Sequence, residues 1–210
     1  MISLFIDTSL NSLSFAICKD EKLLASTKIK KVIKQSSVLM DTIINNLKAH
    51  DKDKKDIDNI IVLNGPGSFT GVRLGVTVAK TLAWSLGINL YLLSNLEALA
   101  IHSESKNKLA VIYDKKDYSY VGIYNEKKDE GYTYVNDLLE IDSGEIIAFE
   151  TNDFIDEMLK QNCNFNLKYI NEYDYLKVIN YALKGKPCNV HLAEPVYLKK
   201  IDAEKKLEND

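Results

Sequence analysis

Runs of strand-forming residues broken by turn residues open the chain and predict three consecutive strands at Leu4–Ile6, Ser14–Cys18 and Leu23–Ile29, with turns at Leu10-Asn11 and Lys19-Asp20-Glu21. The period then lengthens. Leu39, Met40, Ile43, Ile44 and Leu47 recur at helical spacing, so Val38–Leu47 reads as a helix with one apolar stripe. A charged loop from Asp51 to Asp58 leads into a β-branched strand, Ile60–Leu63. A long apolar helix, Val72–Leu86, stops at Gly87, and strand Leu90–Leu93 and helix Asn95–His102 complete the first half.

From Leu109 the pattern restarts with four short strands, Ala110–Tyr113, Tyr118–Tyr124, Tyr132–Val135 and Ile146–Phe149. Helical segments follow at Asp153–Gln161 and Tyr173–Leu183, with a break at Gly185-Lys186-Pro187. A chain of 210 residues, 46% hydrophobic, can bury one large core or two small ones. The expected class is α/β, with an N-terminal lobe over residues 1–103 stacked on a reduced C-terminal lobe over residues 104–210. Three strands followed by helix, strand, helix, strand is the half-domain order of actin-like (ASKHA, ribonuclease H-like) proteins. The charged end Glu204–Asp210 is expected to fray.

The most unusual stretch is Asn-Gly-Pro-Gly-Ser-Phe-Thr-Gly-Val-Arg-Leu-Gly, from Asn64 to Gly75, placed between a strand and a helix. Gly65, Gly67 and Gly71 open backbone conformations closed to other residues, and Pro66 fixes its own φ. The register fits neither a P-loop nor a dinucleotide loop. Asp7, Thr8 and Ser9 with Gly65, Pro66, Gly67, Ser68, Phe69 and Thr70 make up a structural turn whose backbone N–H groups could hold an anion at the helix start, with Thr70 the candidate N-cap. Along the helix, Gly71, Gly75, Ala79 and Ala83 recur every four residues, a smooth stripe along which a second helix could pass closely. Leu74, Val78, Leu82 and Leu86 form the neighbouring stripe, Val72 and Val76 widen the apolar arc, and Arg73, Thr77 and Lys80 mark the polar side with Trp84.

Charge changes the picture by what it excludes. Lysine and arginine number 27 against 30 acidic residues, a net −3 that supplies no general attraction for nucleic acid. The lysine groups Lys28, Lys30, Lys31, Lys34 and Lys52, Lys54, Lys55 read as solvated edges, the second interleaved with Asp51, Asp53 and Asp56. Tyr118, Tyr120 and Tyr124 share a strand face and suit a half-buried sheet better than base stacking. Cys18, Cys163 and Cys188 are too few and too irregular for a disulfide framework or a zinc site. His50, His102 and His191 are scattered singles, so no metal is expected, and His102 reads as a helix-terminal contact. The opening residues enter a strand directly and no apolar run approaches a membrane span, so a cytoplasmic protein is expected.

Ile-Ser-Leu-Phe-Ile-Asp-Thr-Ser at residues 2–9, the Asn64–Gly75 turn, Ser94-Asn95-Leu96-Glu97-Ala98-Leu99-Ala100 and Pro195-Val196-Tyr197-Leu198-Lys199 together resemble the TsaB (YeaZ) family, the dimerisation subunits of the bacterial threonylcarbamoyladenosine tRNA-modification complex. The resemblance is dense over residues 1–100 and thereafter rests on Asp114-Lys115-Lys116-Asp117 and the tail; Gln35-Ser36 stands where the family usually has His-Ser. Asp7 falls where actin-like ATPases keep an acid beside the phosphates, but Thr8 and Ser9 follow it where those enzymes have a glycine, so Asp7 is expected to pin a turn.

The resemblance implies a non-catalytic scaffold that pairs with the catalytic TsaD subunit, is joined by the ATPase TsaE, dimerises when alone and meets tRNA only through the complex. It places the partner interface on two helices: Leu39, Met40, Ile43, Ile44 and Leu47 on the first, Gly71, Val72, Arg73, Gly75, Val76, Ala79 and Ala83 on the second. The isolated chain is expected to bind no cofactor, with ATP or ADP confined to the subunit interface. The alternatives are a self-sufficient ATP-dependent enzyme using Asp7 and, more remotely, a peptidase.

Overall fold

The structure is a computed structural model that describes residues 1–10, 12–30, 35–115, 118–134, 143–161 and 164–199. Asn11, Lys31, Lys34, Lys116, Asp117, Val135, Cys163 and the end Glu204–Asp210 lie outside the described residues, as do the side chains of Gln35 and Ser36. The chain divides into two compact units, Met1–His102 with Glu172–Val196, and Ser103–Asn171 with Tyr197–Asp210. A division had been expected between residues 103 and 104; instead the segment Glu172–Val196 returns to the first unit.

In the first unit, β1 (Ile2–Asp7), β2 (Ser12–Lys19), β3 (Lys22–Lys30), β4 (Asn59–Leu63) and β5 (Asn89–Leu93) form one sheet in the order β3-β2-β1-β4-β5. The first three strands are antiparallel neighbours, while β1, β4 and β5 run parallel. β1 is buried along its whole length, as a central strand covered on both faces must be, and so it reads as a nearly continuous apolar run. Leu4 and Ile6 face a core with Ile60 and Val62, closed by α1 (Gln35–Ala49) through Leu39, Ile43 and Leu47 and by α2 (Phe69–Leu86) through Val72, Val76, Ala79 and Ala83. Phe5 points the other way, its ring 5.9 Å from that of Tyr173 and 5.4 Å from that of Tyr175. There α5 (Tyr175–Leu183) covers the sheet, with α3 (Asn95–Ala100) beside the end of β5.

The second unit holds β6 (Lys108–Lys115), β7 (Tyr118–Tyr124), β8 (Lys128–Tyr134), β9 (Gly144–Ala148) and β10 (Phe165–Tyr169) in the order β10-β9-β6-β7-β8. Leu109, Val111, Val121, Ile146 and Ala148 pack under Phe154, Ile155 and Met158 of α4 (Asp153–Gln161). Strand β10 has no counterpart in the sequence reading, because Phe-Asn-Leu-Lys-Tyr is short and half polar. The tyrosines do line a half-buried sheet: Tyr120 is buried, and the rings of Tyr118 and Tyr132 stack with centroids 5.2 Å apart.

Both units are α/β, and the strand and helix order of the first is the actin-like half-domain plan.

Candidate functional site

Because β1, β4 and β5 are parallel, their carboxyl ends and the loops leaving them share one edge of the sheet, where open α/β sheets form ligand crevices. Here the chain fills that place with itself. Ser9 donates to Asp7 Oδ1 from its backbone N–H at 2.8 Å and from its hydroxyl. The same hydroxyl accepts from Asn95 Nδ2 at 2.6 Å, and Asn95 Oδ1 accepts from the Gly65 N–H at 3.1 Å. A single polar chain therefore ties the loops after β1, β4 and β5. Asp7 is 1% exposed, and burial pushes its carboxyl above the ordinary aspartate range against the opposing pull of the Ser9 bonds. Ser9 of its own turn and Asn95 of α3 thus hold the Asp7 carboxyl as a pin.

The glycine turn packs directly on that pin. Ser68 donates its N–H to Ser9 O at 2.6 Å, and Thr8 Oγ1 donates to Gly71 O at 2.6 Å. A Cβ added at Gly71 would stand 2.0 Å from Thr8 O, and one at Gly75 would stand 2.6 Å from Thr8 Oγ1. Gly65 has φ +112°, and a Cβ there would meet Val196 O at 2.4 Å. Two of the backbone donors that might have held an anion, on Gly65 and Ser68, are thus used inside the chain. The N-cap is Ser68, whose hydroxyl accepts from the Gly71 N–H, and Thr70 lies inside the helix. Pro66 follows a cis peptide bond, and Phe69 is exposed.

This geometry corrects the expected partner interface. Gly71, Gly75, Ala79 and Ala83 do form a smooth stripe, but the backbone that approaches it is the chain's own Thr8-Ser9 turn and the strands beneath it. Leu39, Ile43, Leu47, Val72 and Val76 are core residues of the same unit, none more than 3% exposed. Of the expected interface only Arg73 is exposed, with Met40 and Ile44 half-buried. The Arg73 guanidinium carbon lies over the Phe69 ring, 3.8 Å from its centroid. Thr77 and Thr81 continue that outer face, Leu74 and Val78 flank it, and Trp84, 66% exposed, ends it.

Sequence reasoning missed the segment that seals the edge of the first unit. Cys188 N–H donates to Leu90 O, the Asn64 amide donates to Glu194 O, and Val196 N–H donates to Asn64 O. Lys80 Nζ reaches His191 O at 2.9 Å and Ala193 O at 3.3 Å across a 3-10 turn at Val190–Leu192. None of these bonds has a sequence signal, because all but the Asn64 amide and the Lys80 ammonium are backbone groups. In the second unit Lys199 Nζ and Tyr132 Oη both donate to Asp114, which holds its carboxyl below the usual range despite partial burial. His102 does cap the end of α3, its Nδ1 3.0 Å from Ala98 O. Among the described residues no group of three or more His, Cys, Asp and Glu side chains converges as metal ligands would, and no helix is long and apolar enough to cross a membrane.

Residues 30–145 match the family described as "TsaD: tRNA N6-adenosine threonylcarbamoyltransferase". The chain is 39% identical over 131 residues to the tRNA threonylcarbamoyladenosine biosynthesis protein TsaB of Bacillus subtilis, a match covering 60% of this chain and 56% of that one. It is 30% identical over 146 residues to TsaB of Buchnera aphidicola subsp. Acyrthosiphon pisum, covering 66% of this chain and 65% of that one. The chain thus spans between half and two thirds of the length of these relatives. In fold it is similar to YeaZ from Pseudomonas aeruginosa, with a TM-score of 0.77 at 20% identity over 94% of this chain and 99% of that one.

Proposed function

The chain belongs to the family described as TsaD, tRNA N6-adenosine threonylcarbamoyltransferase, and its curated relatives are named TsaB; from that premise we propose that it is a non-catalytic scaffold subunit of a tRNA threonylcarbamoyladenosine assembly. In this reading it pairs with a TsaD-type catalytic subunit and is joined by a TsaE-type ATPase, and the assembly transfers a threonylcarbamoyl group from its adenylate to the adenosine beside the anticodon. The observation that carries the non-catalytic part is the closed edge of the first sheet. Asp7 is bonded by Ser9, Ser9 by Asn95 and Asn95 by Gly65, so the carboxyl ends of β1, β4 and β5 are joined to one another and not arranged around a phosphate. Any ATP or ADP then belongs at the interface with the partner, tRNA is met through the complex, and the work is cytoplasmic.

The partner-facing surface is proposed on the outer side of α2, at Phe69, Arg73, Thr77 and Trp84, extended by Met40 and Ile44 of α1. An exposed tryptophan and an arginine stacked on an aromatic ring are side chains that anchor interfaces. The same surface serves a second copy of the chain when the partner is missing.

Co-purification of the chain from its own cells, with the bound proteins identified, tests the assembly. A TsaD-type protein is expected, and reconstitution with it should be required for modification of tRNA. Steady-state ATP turnover by the isolated chain, lost in Asp7→Ala, would overturn the non-catalytic reading and make Asp7 a catalytic acid.

A further inference from the structure

Where the chain leaves the first unit, at His102, and where it returns, at Glu172, one imidazole joins the two passages. His102 is 8% exposed, and its two ring nitrogens face groups of opposite character. Nδ1 lies 3.0 Å from Ala98 O and 3.3 Å from Leu99 O, carbonyls of the last turn of α3. Carbonyls only accept, so Nδ1 carries the proton. Nε2 lies 2.8 Å from the backbone nitrogen of Asp174, whose N–H only donates, so Nε2 must present its lone pair. The tautomer is fixed from both sides. Asp174 is also the N-cap of α5, its carboxylate accepting from the Lys177 N–H at 3.1 Å.

We propose that His102 is a proton-sensitive clasp: neutral, it fastens the N-terminus of α5 to the C-terminus of α3 and closes the neck through which the chain exits and re-enters its first unit, and protonated, it releases that N-terminus. A second ring proton would set N–H against N–H in a buried contact, removing the hydrogen bond and leaving the Asp174 donor facing a cation. The groups around the ring pull in both directions. The Asp174 carboxylate and the carbonyl end of α3 favour the cation, while Lys177 on α5 and burial oppose it. Tyr173 contributes its ring at 6.0 Å, and the Cys18 thiol of β2 faces Asp174 and is itself pushed up to about 11 by burial. Burial dominates, so His102 stays neutral to lower pH than a free histidine. Release is local, because Phe5 still holds the rings of Tyr173 and Tyr175.

The full chain, labelled with nitrogen-15 and titrated from about pH 7.5 to about pH 5, tests the clasp across the histidine range. At neutral pH the ring spectrum of His102 should be that of the Nδ1–H tautomer. As His102 titrates, protection of the Asp174 amide against hydrogen exchange, corrected for intrinsic rate, should fall by about tenfold for each unit that its pKa is displaced. His102→Gln, which keeps an acceptor near Nε2 but cannot titrate, should hold Asp174 protection constant with pH. An Nε2–H tautomer at neutral pH, or Asp174 protection indifferent to His102 titration in the wild-type chain, would overturn the proposal whether or not the variant folds.

Discussion

The two faces of α2 are built from opposite materials. Its inner face is Gly71, Gly75, Ala79 and Ala83, pressed so closely on the Thr8-Ser9 turn that a single added carbon at Gly71 has no room. Its outer face carries Phe69, Arg73 and Trp84, large side chains held in water. The difference separates two meanings of a small-residue stripe. Small residues mark where a backbone comes near, and they do not say whose backbone it is; large exposed aromatic residues mark where something else can be gripped. On this helix the first belongs to folding, and the second is the surface proposed for assembly.

Substitution on the inner face should break the fold itself. Gly71→Ala drives a Cβ onto the Thr8 carbonyl, a backbone atom that cannot swing aside, and should cost about 3 kcal/mol or more in urea unfolding. Gly75→Leu should likewise lose folded protein, because its side chain would meet Thr8 and Val62. Folded, monomeric Gly75→Leu that fails only to associate would reverse the assignment of the two faces.

On the outer face the effect should move from stability to association. Trp84→Ala is expected to change stability by under about 0.5 kcal/mol yet weaken partner binding by roughly 2 kcal/mol, measured by sedimentation of the mixed subunits. An equal loss in both measurements would place Trp84 in the fold instead.

Thr8→Val keeps the shape of the inner contact while deleting its hydroxyl. The Gly71 carbonyl then loses a buried donor, a cost of about 1–2 kcal/mol with no change in association. The smallest effect is that of pH. His102 has a lowered folded pKa, so its contribution is present above the unfolded value near about 6.5 and is lost as pH falls through the folded one. Asp7 has a raised folded pKa, so its contribution has the opposite sign: it is gained as pH falls through the folded value and the carboxyl takes up a proton. The loss of stability that His102 contributes on acidification should be absent in His102→Gln, read in a series of denaturant midpoints.

Much of the fold was legible because local pattern and tertiary role agree. Tyr118–Tyr124 and Asp153–Gln161 have the same limits in sequence and structure. The glycine turn and Asp7, the acid that ends β1, were equally visible. What could not be read is contact at a distance. Asn95 completes the chain from Asp7 to Gly65, yet in sequence it is only the first residue of a short helix. The four-residue stripe was assigned to a partner helix because the periodicity of one helix carries no information on what lies against it. The sealing bonds of Cys188 and Val196 are made by backbone groups, which every residue but proline offers alike.

The return of Glu172–Val196 to the first unit has a consequence for synthesis. A nascent chain emerges from its amino end, and the strands β1 to β5 are all made well before Tyr173 and the first α5 residue, Tyr175, whose rings pack on Phe5, and before Val196, whose carbonyl rests over Gly65. The intervening segment is complete first. The first unit is therefore finished only after the segment inserted in it, and until α5 and Val196 have been made Phe5 and the far side of the central strand stand open to whatever holds unfinished chains in the cell.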